Sequence, residues 1–284
     1  MKRERKEKIA RAIFGLSAVF TGSAAILIFF FLFYFAFPLI TSGHIGQFLS
    51  VKWDPNARFF GIYPMIVGTV YIASIATLIA APLGVGLAIF MELKNTSAIS
   101  RFLRILVEFM AGIPTVVYGF AAVFLLVPLI RNISKHGSGF CVLAASIMLA
   151  LLIMPTIMII AQDRLRSVPH AQVLVAKSLG ASDLETVIRL QIPYSWKGII
   201  SAIVLGAGRA IGDTMLGLML AGNAVQIPSS LLDSARTLTA HVALVSPSDY
   251  ESVSFKAIFI CGLLLFIIST WNILFLKLLE RVKK

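Results

Sequence analysis

Arg209 and Asp213 stand one helical turn apart in the run Gly206-Ala207-Gly208-Arg209-Ala210-Ile211-Gly212-Asp213-Thr214-Met215, with apolar stretches on both sides. Residues four apart share one side of a helix. A charge at the centre of a membrane helix costs about 2.5–3.5 kcal/mol even on lenient scales. It is therefore either satisfied by a partner or kept for a task. Two readings follow. The residues form a mutually satisfied structural pair, or they form an anion site with Arg209 as the cation and Asp213 tuning it. A guanidinium suits an oxyanion because it donates two parallel N–H bonds. Glu108 is the third candidate, near one end of another apolar run with Arg104 a turn before it. That spacing fits an interfacial Arg104–Glu108 pair as well as a place on an anion pathway.

Other chemistries find little support. His44, His136, His170 and His241 are dispersed, and Cys141 and Cys261 lie inside apolar segments, so neither a metal site nor a disulfide framework is expected. No H-E-x-x-H, Ser/His or paired-Asp arrangement suggests an intramembrane enzyme. The glycines around Arg209 imitate a dinucleotide loop, but their spacing is wrong and no strand precedes them. No G-x-x-x-x-G-K-[ST] phosphate loop occurs, so this chain is not an ATPase.

The elements that must position these residues are membrane helices. Of 284 residues, 58% are hydrophobic and 13% charged, against roughly half and a quarter in soluble domains. Six runs are long enough to cross a bilayer, near Ala12–Ile40, Pro64–Met91, Ile105–Ile130, Gly139–Ala161, Gly198–Val225 and Val253–Leu276. They do not alternate as barrel strands would. The expectation is an all-α polytopic membrane protein with six transmembrane helices. Its parts are a basic tail (1–11), a first helix (12–40), an external segment (41–63), a five-helix core (64–276) and a basic tail (277–284). The first apolar run is too long for a signal peptide and is read as an uncleaved helix.

The net charge of +12 is unevenly placed. With the N-terminus inside, eighteen Lys and Arg fall in the inner connections and five in the outer ones. This positive-inside bias puts both termini in the cytoplasm and makes nucleic acid an unneeded partner.

Prolines and glycines mark special places in the helices. Pro82, near Gly84 and Gly86, predicts a kink. In Gly112-Ile113-Pro114-Thr115-Val116-Val117-Tyr118-Gly119, Pro114 predicts either a packing kink or a hinged helix lining a pathway. Gly112 and Gly119 allow close approach. Gly208 and Gly212 form G-x-x-x-G, a face for tight helix packing. The inner connection 163–197 is too long for a turn. Ser167 and Pro169 suit a helix start, Gly180 a stop, and Ser182-Asp183-Leu184-Glu185 a capping box. A second short helix should place Leu184, Val187, Ile188 and Gln191 on one face and end at Pro193. Helices so short need cover, from the membrane domain or from another protein.

Taken together, these stretches resemble the phosphate-specific permeases of ABC importers, over nearly the whole chain. The inner connection is similar to the coupling loop E-A-A-x-x-x-G-x9-I-x-L-P, with Ala176, Gly180, Leu190, Ile192 and Pro193 in register. Leu174 and Val175 stand where that pattern begins Glu-Ala. Ile113–Gly119 is similar to I-P-S-I-V-Y-G, and Gly208–Met215 to G-R-A-L-G-E-T-M, with Asp213 in place of the Glu. Trp53-Asp54-Pro55 and Tyr63-Pro64-Met65 look more like PstC-type subunits than PstA-type ones. The resemblance implies a type I (MetI-like) importer fold in a bacterial or archaeal cytoplasmic membrane. It implies a pore shared with a PstA-like sister permease and two ATPase subunits on the coupling loops. A periplasmic or lipid-anchored binding protein would deliver phosphate. No cofactor is implied in this chain, since ATP and Mg belong to the ATPase. Molybdate, tungstate or sulfate are the alternative cargoes. A stand-alone secondary carrier is the alternative class, though no internal repeat supports it.

Overall fold

The computed structural model describes residues 2–41, 45–48, 50–55, 57, 59–94, 97–135, 137–249 and 252–281. His44, Arg58, His136, Lys283 and Lys284, which enter the sequence reading, lie outside them. The chain opens with α1 (Lys2–Thr41) and α2 (Ile45–Phe48), then a hairpin of β1 (Trp53–Asp54) and β2 (Phe59–Phe60). Next come α3 (Tyr63–Leu93), α4 (Ala98–Gly112), α5 (Thr115–Phe124), α6 (Leu126–Ser134) and α7 (Val142–Arg166). Two short helices follow, α8 (His170–Ser178) and α9 (Asp183–Thr186), leading through a π-helical turn (Val187–Gln191) into α10 (Ile192–Gly212). The chain ends with α11 (Met215–Leu220), α12 (Leu238–Val245) and α13 (Val253–Arg281).

The core is built around α7, whose Leu152, Ile153, Ile157 and Met158 are fully buried. α3 makes the most extensive contact with it, and α10 the next. Small residues make this closeness possible. α3 presents Ala73, Ala76, Ala80, Gly84 and Ala88 as buried positions. A Cβ on Gly84 would lie 3.0 Å from Ile157 Cγ2, and one on Gly206 of α10 would lie 2.6 Å from Ile157 Cγ1. Ile157 is thus wedged between two glycines, the dispersion-driven packing that replaces the hydrophobic effect in lipid. α1 pairs with α13 outside this core. Phe35 stacks on Phe259 with centroids 4.8 Å apart, and Phe29 meets Phe266 at 5.3 Å. Much of α1 is exposed and apolar, as a lipid-facing surface should be.

Among the described residues, five helices are long and apolar enough to cross a membrane: 10–39, 63–93, 115–134, 142–166 and 253–278. The sixth expected run is only partly carried by α10, whose glycines, Lys197 and Arg209 keep it less apolar than those five. Two expected spans are interrupted. Ile105–Ile130 is not one helix, because α4 ends at Gly112 and α5 starts at Thr115. Ile113 and Pro114 are extended, with ψ of 128° and 142°, since proline pushes the preceding residue out of the α region. Gly198–Val225 is likewise split. α10 begins at Ile192 and stops at Gly212, and Asp213 is extended with φ −74° and ψ 123°.

One proline lies within an unbroken helix, and another behaves differently from expectation. α3 continues through Pro82 without a break in its helix. Pro193 does not end the coupling segment. It lies inside helical backbone, two residues after the π turn ends at Gln191. Residues 183–212 consequently form one continuous helical rod with a π turn inside it.

Candidate functional site

Three pieces of local chemistry shape the site: the first helix break, the second break, and the coupling segment. At the first break, α4 and α5 are bridged by the Tyr118 hydroxyl, which donates to the Met110 carbonyl at 2.8 Å. The Met110 carbonyl also accepts from the Ile113 N–H at 3.3 Å, so it takes two bonds at the end of α4. Tyr118 and Gly119 are buried, whereas Gly112 and Pro114 are exposed. α5 then packs on α11. A Cβ on Gly119 would come 2.5 Å from Met219 Sδ, so glycine is what lets the halves beyond the two breaks touch.

At the second break, Asp213 Oδ1 accepts from the Leu216 N–H at 2.8 Å and so caps α11. The Asp213 carbonyl accepts from Thr239 Oγ1 of α12 at 3.0 Å. Thr237 caps α12 through the Ala240 N–H, and a Cβ on Gly217 would lie 2.8 Å from Thr237 Oγ1. Arg209, in the last turn of α10, is exposed and donates from Nη1 to Thr156 Oγ1 of α7 at 2.7 Å. None of the ion pairs among the described residues joins Arg209 to Asp213. Asp213 is occupied as a helix cap and Arg209 is tethered to a neutral hydroxyl. The expected mutual pair is therefore replaced by two separate contacts. The guanidinium still lies within electrostatic reach of both Tyr118 and Asp213. Glu108 stands exposed on α4 with no ion pair to Arg209 among the described residues.

The expected G-x-x-x-G face is only half used. A Cβ on Gly208 would make ordinary contact with Asn272 of α13 at 3.5 Å, and Gly212 faces open space. The tight glycines of α10 are Gly198, against the Arg164 side chain, and Gly206, against Ile157.

The coupling segment follows its local sequence signals closely. Gly180 adopts φ +89°. Its N–H bonds the Lys177 carbonyl and the Ala181 N–H bonds the Ala176 carbonyl. These two bonds form a Schellman stop, which requires a residue free to enter the left-handed region. The capping box is complete: Ser182 Oγ accepts from the Glu185 N–H, and Glu185 accepts from the Ser182 N–H. That N–H holds the Glu185 carboxyl below its ordinary range, and Lys177 does the same for Asp183. Leu190 is half-buried, as is Ile192, which packs against the core, while Pro193 is exposed. The expected common face of Leu184, Val187, Ile188 and Gln191 is divided. Val187 and Gln191 are buried, but Leu184 and Ile188 are exposed. The wider π turn, closed by the Ile192 N–H on the Val187 carbonyl, rotates these positions apart. Leu174, Val175, Leu179, Leu184 and Ile188 form an exposed apolar surface, with Leu179 at 83% exposure.

Comparison with known proteins places this architecture. Residues 84–282 match the model of the binding-protein-dependent transport system inner membrane component. The chain belongs to that family. Its relatives include a probable ABC transporter permease protein, YqgH, of Bacillus subtilis, 34% identical over 83% of this chain and 77% of that protein. The phosphate transport system permease protein PstC of Mesorhizobium japonicum is 32% identical over 78% and 73%. A probable PstC of Methanocaldococcus jannaschii is 30% identical over 86% and 84%. The same fold occurs in a bacterial ABC transporter for import of the acidic polysaccharide alginate, with TM-score 0.59 and 13% identity over 90% of this chain and 96% of that one. It also occurs in the MetNI methionine transporter, with TM-score 0.56 and 16% identity over 77% and 94%. The family match covers both helix breaks and the coupling segment. Family members of this kind are non-catalytic membrane components. Sequence reasoning missed Thr156, Thr239 and Gly206 as partners of the site. Only the type of Thr239, a hydroxyl near a helix start, left any trace.

Proposed function

We propose that this chain forms one half of the membrane pathway of an ATP-driven importer for inorganic phosphate. The observation that carries this reading is identity of about one third to phosphate-system permeases across both broken helices. Arg209 supplies positive potential to the passing anion, and its single neutral tether to Thr156 leaves further donors for an oxyanion. Transport needs release as well as capture, so a weakly held, exposed guanidinium fits better than a deep trap. A PstA-like sister permease completes the pore, and a phosphate-binding protein loads it from outside. Two ATPase subunits bind ATP and Mg, and one of them docks on this chain's exposed apolar surface around Gly180. Both termini and the Gly180 segment lie in the cytoplasm, supported by the eighteen-to-five distribution of basic residues.

The test is reconstitution of the complete assembly in vesicles, with labelled phosphate and purified binding protein. ATP-dependent uptake that molybdate, tungstate and sulfate fail to compete is the expected result. Uptake by this chain alone, driven by an ion gradient, would overturn the reading in favour of a carrier. Cysteine labelling of the Gly180 segment from outside intact cells would overturn the orientation.

A further inference from the structure

The coupling segment is loose at its tip and fastened at its root. α8 buries none of its residues. At the root, Ser195 Oγ donates to the Arg164 carbonyl at 2.7 Å, tying α10 to the end of α7. A second fastening lies on α3. Glu92 Oε2 accepts from Arg166 Nε of α7 at 3.1 Å, and Glu92 Oε1 accepts from Gln191 Nε2 at 3.4 Å. Gln191 is the last residue of the π turn and is buried. One carboxylate therefore joins the ends of α3 and α7 to the rod that carries the coupling segment. Its side chain is only 15% exposed, against 35% for Arg166. Both oxygens of this half-buried carboxylate are used.

Two further features say what this junction does. Residues 183–212 are one rod, with Glu185 near its free end and Arg209 near the other. A push on the tip reaches Arg209 only if the rod does not yield at its π turn, its least regular point. A cavity of about 510 Å³ opens beside the junction, lined by Glu92, Arg166, Lys177, Asp183, Thr186 and Gln191 among others. The cavity lies alongside the segment, with the Glu92 bonds at its edge, and the Ser195 tie holds the root as well.

We propose that Glu92 is a positioning residue for transport: it makes the coupling segment, α3 and α7 move as one body, so that displacement of the segment shifts α10 rather than bending the π turn. This rests on the reading that an ATPase docks around Gly180. Glu92→Gln removes the charge facing Arg166 and keeps the volume. Gln191→Met cuts only the link to the rod and leaves the ion pair in place.

The experiment uses the full reconstituted transporter with binding protein, measuring phosphate uptake and ATP hydrolysis on the same vesicles. Both variants should keep the ATPase bound and hydrolysing, while ATP consumed per phosphate rises about tenfold for Glu92→Gln and less for Gln191→Met, in the range of ordinary coupling energies. An unchanged ratio in both variants would overturn the proposal. So would uptake that falls only in proportion to lost assembled complex, which marks a purely structural acid. Gly180→Asp separates the two layers of the argument. If it leaves ATPase binding and stimulation intact, the docking reading and this proposal fall together. If it abolishes them while Glu92→Gln keeps the wild-type ratio, this proposal alone falls.

Discussion

The two helix breaks solve the same problem in opposite ways. At Ile113–Pro114 the interruption is imposed by a proline and left open. Gly112 and Pro114 are exposed, and among the described residues the side-chain hydrogen bond across the gap runs from Tyr118 to Met110. At Asp213–Thr214 no proline is present. The interruption is held by side chains instead, with Asp213 capping α11 and Thr239 of α12 gripping the Asp213 carbonyl. A backbone break in lipid must have its polar groups satisfied by protein. The first break does this within its own helix pair and keeps the freedom to bend. The second recruits a third element and gives up that freedom. The charge sits beside the second: Arg209 is in the last turn before Asp213. The contrast suggests a movable wall facing a fixed charged one, joined where Gly119 meets Met219.

The largest effect expected from this contrast concerns charge. Arg209→Gln should lower phosphate uptake about 10–100-fold, the worth of a charge-assisted hydrogen bond lost from the pathway. The assembled complex should remain near normal, because Arg209 is exposed and its tether, to Thr156, is a neutral hydroxyl. Glu108→Gln, on the open side, should change uptake less than about twofold, as exposed charges usually do. Labelled-phosphate uptake normalised to assembled complex checks both. A larger loss from Glu108→Gln would invert the assignment of the fixed and movable walls.

Acid offers a way to loosen the fixed side. α12, too short to cross a bilayer, carries His241, which is fully buried and edge-on to Trp53 with centroids 4.3 Å apart. Neither ring nitrogen has a partner. Burial first, and Arg236 second, push its pKa down to about 4. A folded pKa below the unfolded value means the neutral ring is the one the fold prefers. Its contribution is present above about pH 6.5 and is lost as pH falls toward 4. The shift corresponds to about 3 kcal/mol at most. Thermal unfolding in detergent at pH 7 and pH 5 should show an acid loss that His241→Phe removes. An equal acid loss in that variant would detach His241 from the clamp.

How much of this was legible depended on distance along the chain. The Gly180 stop, the Ser182–Glu185 box and the Pro114 break each depend on neighbours within a few residues, and each was readable. The Asp213 break was not. A carboxylate in an apolar run suggested an ion pair with Arg209, and nothing local showed that it would cap a new helix instead. Thr156 is 53 positions from Arg209, and Gln191 is 99 from Glu92. Such partners are chosen by packing, which a single sequence does not display. The π turn also left no mark, so the faces of Leu184 and Val187 were merged. Likewise G-x-x-x-G at Gly208 and Gly212 was a sound rule applied to the wrong pair, since the contact with α7 uses Gly198 and Gly206.

The smallest expected effect is the sharpest test of open against held. Tyr118→Phe and Thr239→Val each delete one hydroxyl with little change of shape, and each hydroxyl donates one bond to a backbone carbonyl at a break. A typical bond of this kind is worth about 1 kcal/mol net. Thr239 Oγ1 also pairs with Thr237 Oγ1 at 3.1 Å, so Thr239→Val should lose somewhat more thermal stability in the purified complex than Tyr118→Phe. Transport should separate them. At the first break the Tyr118 bond is the bridge between α4 and α5, so its loss changes how readily the wall bends and should alter the maximal uptake rate. At the second break the Leu216 cap on Asp213 remains after Thr239→Val, so Arg209 keeps its place and the uptake rate should stay near wild type. Measuring stability and uptake rate side by side on the two variants decides it. Matching uptake rates would mean that both breaks are held alike, and the distinction between a movable and a fixed wall would be lost.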